Sequence, residues 1–394
     1  MDIDLLESVL VSEIRTIGLM IDLFSDHHRG IRGGIIEYAR AQRGWRFYRH
    51  GPMPILRKSG LRRWRGDGII GLLHTPEDIK MVRKLGVPVV NVVSAWEETM
   101  LPSVVPDDEA IGRMAAEHLL TQDLGRFAFV GDTRLAHDHR RFKGFKETIA
   151  ASGKTCRQVK FPFRHGNEGY IFSGTENVKQ LTGLIAALPT PIGLFCPHDD
   201  HACWVMEACE RAALELPRQV CLLGTNNHEL VCEHCHPTLS SVAQSSRQIG
   251  YHAAALLDRL MDGEPPSPTM RIPPQRVVMR ESTDRFVSED EDVAAALRFI
   301  RNNAAKPIVV DDILNVLPIS RRLLEMKFKR ITGKAPAAEI RHAHIERAKR
   351  LLKETDWSIS RISMSSGYDS LHGFLLAFKR ETKRTPGQFR TASR

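Results

Sequence analysis

Polar residues able to grip a hydroxylated ligand recur in this chain at one kind of position, after a short apolar run and before a helical stretch. They are Asp22–Arg29 (Asp22, Ser25, His27 and Arg29), Asp107–Asp108, Asp132–Arg141, His198–His201 (His198 and Asp199) and Asn226–His228 (Asn226 and Asn227). Carboxylate, amide and guanidinium groups can each bond two hydroxyls at once, so together these residues suit a small polyhydroxylated ligand. Any one of them is explained equally well as a cap, because Asp and Asn commonly cap the helix they precede. As a set they point to a cleft.

Other chemistry is weakly supported. His228, Cys232, His234, Cys235 and His236 form a Cys/His cluster, but a structural zinc site needs four ligands at fixed spacing and usually a second knuckle. None follows, so no metal and no cofactor is expected. A metal- or redox-responsive protein using Cys232 and Cys235, or one whose cleft takes a different small molecule, stands as the alternative to a cleft for a polyhydroxylated ligand. The chain has no phosphate-binding Gly-rich loop with Lys-Ser/Thr, no nucleophile elbow and no His-Glu-x-x-His helix. Adjacent Asp199 and Asp200 rarely converge on one substrate atom, which favours ligand hydrogen bonding over acid–base catalysis. The chain reads as no enzyme.

The elements that must position these residues alternate. Apolar runs at Ile14–Ile21, Arg46–His50, Gly68–His74 and Val87–Val93 are separated by helical stretches, and the rhythm restarts at Phe127–Gly131 and continues to Val220–Gly224. Strands alternating with helices mean βαβ units and a mainly parallel sheet, and two runs mean two doubly wound sheets, hence two lobes. Ligands sit outside the carboxyl ends of such strands, where the polar segments fall. We place a sensor at 13–285, with lobes at about 13–123 and 124–238 and further crossings near 239–285. The acidic stretch 286–292 serves as a linker, after Pro-rich Asp262–Pro274.

From Val293 to the end the pattern is all-α and basic. Between Glu289 and Arg394 there are 21 Lys and Arg against 13 Asp and Glu, while the residues before hold 35 and 34. An excess confined to one part is the electrostatic footprint expected on DNA phosphates. Ser320 caps a helix Arg321–Thr332 that carries Lys327, Lys329 and Arg330. Asp369–Lys383 repeats the pattern with Phe374 and Phe378 on its core face. These are two helix-turn-helix motifs in tandem. Seven cysteines, all between Cys156 and Cys235, suit a reduced, cytoplasmic chain. The acidic Met1–Ser12 lacks a signal-peptide n-region, and no apolar run spans a bilayer.

The segments Val104–Leu120, Arg141–Phe145, Pro197–Ala202, Leu222–Asn227 and Leu239–Gly263 resemble the effector domain of LacI/GalR-type repressors, a periplasmic-binding-protein-like fold. That resemblance implies a sugar between the lobes, Arg141 as a sugar-binding arginine and Asp199 as the aspartate of an Asn-Asp motif. Asn226 stands where an Asp is usual, and His27 where a Tyr is common. Pro318–Pro336 and His344–Arg390, ending Thr385-Pro386-Gly387-Gln388-Phe389-Arg390, resemble the AraC/XylS-type DNA-binding domain. By that resemblance Arg321, Arg322, Glu325 and Met326 face base edges in the first recognition helix, and Ser370, Leu371, His372 and Leu376 in the second. Arg322 is the sharpest choice, since Arg on guanine is the commonest specific contact. Lys329 of the first helix is counted among the DNA-binding residues, and Lys379, Arg380 and Arg384 suit phosphates. Leu375 and Leu376 fall where polar residues are usual, which suggests an anchoring second helix. The combination resembles regulators of xylose operons. It implies double-stranded operator DNA, a xylose-like sugar effector, a homodimer and RNA polymerase as partners, with activation as the output. DNA-repair alkyl acceptors with a similar module need an activated Cys near an N-terminal metal site, whereas Cys156 is the first here.

Overall fold

The computed structural model describes residues 14–392, apart from 43, 49–55, 57–59, 62–63, 96–100, 123, 164–173 and 285–289. One compact unit ends at Thr283 and a second starts at Asp284. The expected linker 286–292 lies mostly outside the described residues. No helix among the described residues is long and apolar enough to cross a membrane.

In the first unit the chain forms β1 (Arg15–Met20), α1 (Asp26–Gln42), β2 (Trp45–Phe47), β3 (Gly68–Gly71), α2 (Pro76–Arg83), β4 (Val89–Asn91) and β5 (Val104–Pro106). It continues through α3 (Asp108–Leu120), β6 (Arg126–Gly131), α4 (Ala136–Ala151), β7 (Thr155–Lys160), α5 (Gly174–Ala186), β8 (Ile192–Phe195) and α6 (Asp199–Arg211). Then come β9 (Val220–Thr225), α7 (Glu229–His234), β10 (Ser240–Ala243), α8 (Ser246–Met261), β11 (Met270–Ile272) and β12 (Arg276–Val278). The strands make two sheets, ordered β2-β1-β3-β4 and β12-β10-β9-β8-β6-β7, and β5 pairs with β11. All pairings are parallel except β10 with β12. Strands β3, β8 and β9 are buried along their whole length, as helices on both faces of a parallel sheet require.

The lobe boundaries differ from those read in the sequence. Ile111, Ala115 and Leu119 of α3 pack with Phe127, Phe145 and Ile149 of the second lobe. The first crossing therefore lies at Asp107, ahead of 123, because rhythm shows that a helix follows a strand but not which sheet it covers. Ile249, Ala253 and Leu257 of α8 return to the first lobe, against Ile17, Ile31 and Ile35. Helices α3 and α4 touch through glycines. A Cβ on Gly112 would lie 2.0 Å from the Arg141 carbonyl oxygen, and one on Gly144 would lie 2.1 Å from that of Glu109.

The second unit holds α9 (Glu291–Asn302), α10 (Val310–Leu314), α11 (Arg321–Thr332), α12 (Pro336–Glu354), α13 (Ile359–Met364), α14 (Leu371–Thr382) and α15 (Pro386–Ala392). Two small cores form. Val293, Ile300, Ile313, Leu324, Phe328 and Ile340 make the first, and Ile345, Leu352, Ile362, Phe374 and Phe378 the second. Helix α12 contributes to both. The pairs α10–α11 and α13–α14 are thus two helix-turn-helix motifs on one shared spine.

Candidate ligand cleft and nucleic-acid interface

The two lobes meet at the carboxyl ends of their strands, where hydrogen bonds tie them together. The Ala136 N–H donates to the Ala95 carbonyl at 3.2 Å. Arg140 Nη2 donates to the Ser94 carbonyl at 2.7 Å, and the Glu229 N–H donates to Asp26 Oδ2 at 2.7 Å. His27 and His74 stay accessible to solvent yet are enclosed by protein. Desolvation first, and neighbouring cations second, hold their imidazoles neutral, at about 3 for His27 and about 4 for His74. The basic groups opposing them include Arg141 for His27 and His137 for His74, both from the second lobe. Such a combination of access and enclosure marks a cleft.

Its second-lobe wall is a polar network. His137 Nε2 lies 3.1 Å from Asp138 Oδ1 and 3.3 Å from His198 Nε2. His198 Nδ1 meets the Asn226 amide at 3.3 Å, and Asn226 Oδ1 accepts from Gln244. Asn226 holds φ at 105° and Asn227 at 49°, left-handed backbone that L residues seldom adopt and that collects at binding sites. Arg141 is buried; its Nε donates to Asp108 Oδ1 at 2.9 Å and its Nη1 to the Pro197 carbonyl. Asp108 also accepts from Ser94 Oγ at 2.5 Å.

Of the residues expected from sequence, Asp22, His27, Arg141, His198 and Asn226 come together around this cleft, with Asp22 Oδ1 2.7 Å from His28 Nδ1. The others hold the frame. Ser25 Oγ accepts the His28 N–H, and Asp107 caps α3 through the Ala110 N–H at 2.9 Å. Arg29 donates to the Leu23 carbonyl and to Asp26 on the surface. Asp199 accepts from Ser241 Oγ at 2.6 Å and the His228 N–H at 2.8 Å, while Asn227 accepts from Arg280. Burial pushes the Asp199 carboxyl up to about 7, against those two hydrogen bonds. His28, His74, His137, Asp138, Arg140 and Gln244 were not singled out from sequence. A density of His in the loops after β1, β3, β6 and β8 was the available signal.

His137, Asp138 and His198 have donor atoms within 4.8 Å of one another and could hold a divalent ion, alone in this among the described residues. No spacing rule marks that set, because His137 and Asp138 follow β6 whereas His198 follows β8. In the Cys/His segment the Cys235 thiol faces Cys203 at 3.1 Å rather than Cys232, which is buried in the core.

On the second unit Arg321, Arg322, Glu325, Met326 and Lys329 line the open face of α11. Arg321 pairs with Asp311 at 3.0 Å. Lys327 turns away to Asp290 and Asp292. Leu371, His372, Lys379 and Arg380 are open on α14, whereas Ser370 caps that helix by accepting the Gly373 N–H at 3.1 Å.

Known proteins show the same two parts. Residues 55–166 match the family of periplasmic binding proteins and sugar binding domain of the LacI family, and 116–283 match the periplasmic binding protein-like domain. Residues 313–392 match a helix-turn-helix domain. Over 391 residues the chain is 31% identical to the xylose operon regulatory protein of Escherichia coli K12, covering 95% of this chain and 96% of that one. For its counterpart in Haemophilus influenzae Rd the figures are 32% over 329 residues, 82% and 84%. A solved structure of a xylose-binding transcription activator superposes with a TM-score of 0.61 at 30% identity, over 97% of this chain and 99% of that one.

Proposed function

The chain belongs to the family of xylose operon regulatory proteins and is a sugar-sensing, DNA-binding transcriptional regulator, and on that premise we propose that a xylose-like pentose binds between its lobes and controls activation of a pentose operon. The observation that carries the reading is the cleft itself, where neutral imidazoles of one lobe face the arginine, histidine and amide groups of the other. A pentose offers vicinal hydroxyls, and each can donate to an imidazole lone pair or accept from a guanidinium or amide. Asp22, His27, His74, His137, Arg141, His198 and Asn226 are the residues we assign to it. Ser25, Arg29, Asp107, Asp199 and Asn227 set the loops that present them. A sugar that bonds both lobes favours the closed form by its differential affinity for that form. Closure changes how two protomers of a homodimer present α11 and α14 to operator half-sites and to RNA polymerase in the cytoplasm. The relative named as a xylose-binding transcription activator supports both sugar and sign.

A thermal-shift series over pentoses and hexoses tests the sensor. A ligand of the native state raises the midpoint with concentration. One pentose should do so, and His198→Ala and Asn226→Ala, each folded by circular dichroism, should lose the response. Should no monosaccharide move the midpoint, the sugar assignment is wrong.

A further inference from the structure

The helices α11 and α14 are copies in backbone and burial, shifted by 50 residues. Ser320 and Ser370 each cap by accepting the N–H three residues on, from Leu323 and Gly373. Leu324 and Phe328 fill the first core as Phe374 and Phe378 fill the second. Gly333 and Lys383 close the helices with φ of 69° and 59°. Thr332 and Thr382 both donate back to the carbonyl four residues earlier. The open positions therefore correspond, Arg321 to Leu371, Arg322 to His372, Glu325 to Leu375, Met326 to Leu376, Lys329 to Lys379 and Arg330 to Arg380.

The basic last turn is kept between the two copies, but the forward face has changed. Where α11 offers the guanidiniums of Arg321 and Arg322 and the carboxylate of Glu325, α14 offers Leu371, His372 and Leu375, and Leu376 takes the place of Met326; the three leucines are exposed by 42, 37 and 60%. Lys379 and Arg380 on the same helix, and the domain's excess of 21 basic over 13 acidic residues, call for an anionic partner. Within the major groove of DNA the apolar group on the base edges is the C5-methyl of thymine. We propose that α14 reads thymine methyls with Leu371, Leu375 and Leu376, so that each half-site is bipartite, with guanine under Arg322 of α11 and thymines under α14. Leu371 and Leu375 lie one turn apart on one ridge, with Leu376 beside them. They form an apolar strip that successive thymines of one strand can cover, while Lys379 and Arg380 hold the phosphates at its end. This assignment rests on the reading of the second unit as a DNA-binding domain, and it replaces the purely anchoring role expected for α14 from sequence.

Uracil tests it, because uracil pairs as thymine does and lacks only the methyl. Duplexes are selected from a random pool with the full-length protein and the sugar that stabilises it. Each thymine of the recovered site is then replaced by uracil, and binding is followed by fluorescence anisotropy. Replacement in one contiguous segment should weaken binding, by about fourfold per methyl on the scale of one buried methyl group. The variant Leu375→Ala/Leu376→Ala, both positions being solvent-facing, should bind thymine and uracil duplexes alike. Equal affinity of the wild type for both duplexes, a selected site without such a thymine segment, or discrimination that survives in the leucine variant would each overturn the proposal. So would a leucine variant that keeps both affinity and discrimination yet loses transcription with RNA polymerase, since the strip would then be a polymerase contact. A protein that selects no duplex at all would instead overturn the DNA-binding reading beneath it.

Discussion

Asp199 shows how a single buried group can be needed for shape and still cost stability. Its carboxyl titrates near 7 in the folded chain against an ordinary 3.8, because burial outweighs the hydrogen bonds from Ser241 and His228. The folded state therefore holds the proton more tightly, and the associated stability is complete below pH 3.8 and lost as pH climbs to about 7. In that window the loss approaches about 1.4 kcal/mol per pH unit. Urea denaturation from pH 4.5 to 7.5 should show a steeper fall for wild type than for Asp199→Asn, whose amide still bonds both partners. The comparison also removes the opposing effect of His27 and His74, which resist protonation in acid. A like contrast holds between DNA contacts. Arg322→Ala should cost about 1–3 kcal/mol at one base pair and relax specificity there, whereas Lys379→Ala should weaken all duplexes alike and lower the salt slope by about 1. Anisotropy titrations at several salt concentrations separate the two.

At the scale of elements, the α3–α4 contact links packing to the site. Gly112 lies against the backbone of Arg141, with no room for a Cβ, so the helix that carries the Arg141 guanidinium is seated by a missing side chain. Gly112→Ala must push the helices apart and should cost about 1–3 kcal/mol, as overpacking does. It should weaken sugar binding by displacing Arg141 from Asp108 and Pro197. Chemical denaturation and calorimetric titration would read the two effects. The alternation of strands and helices was plain in the sequence, since each buried parallel strand is a continuous apolar run. Strands β5 and β11 were not, because three residues carry no period and their pairing joins parts of the chain more than 160 residues apart. The cleft was half legible. Asp22, His27, Arg141, His198 and Asn226 stood at strand ends, where topology alone puts ligands. His74, His137 and Arg140 became visible only when the lobes were brought face to face. Asp107 looked like its neighbour Asp108, and only the structure shows which one caps and which one holds the arginines.

At the scale of the molecule, charge sets a near-neutral part of the chain apart from a basic one, and the chain divides into compact units at Asp284. The lobe boundaries were harder, because the chain changes lobe at Asp107, near Gln244 and again near Pro274, and a one-dimensional rhythm carries no information on which sheet a helix covers. The position of α8 has a consequence for how the protein is made. Its Ile249, Ala253 and Leu257 close the core of the first lobe against Ile17, Ile31 and Ile35, although about 200 residues, including β6 to β10 of the other lobe, are translated between α1 and α8. At about 5–20 residues per second the apolar flank of α1 waits about 10–40 s on the ribosome for its cover. The second-lobe strands β6 to β10 are complete before the first lobe is. Ribosome-bound chains halted after Ala243 should therefore yield to protease in residues 14–106, while chains long enough to expose α8 should resist. The first lobe thus waits for a helix made after β6 to β10 of the second, and a holding chaperone is most needed at its uncovered α1 face.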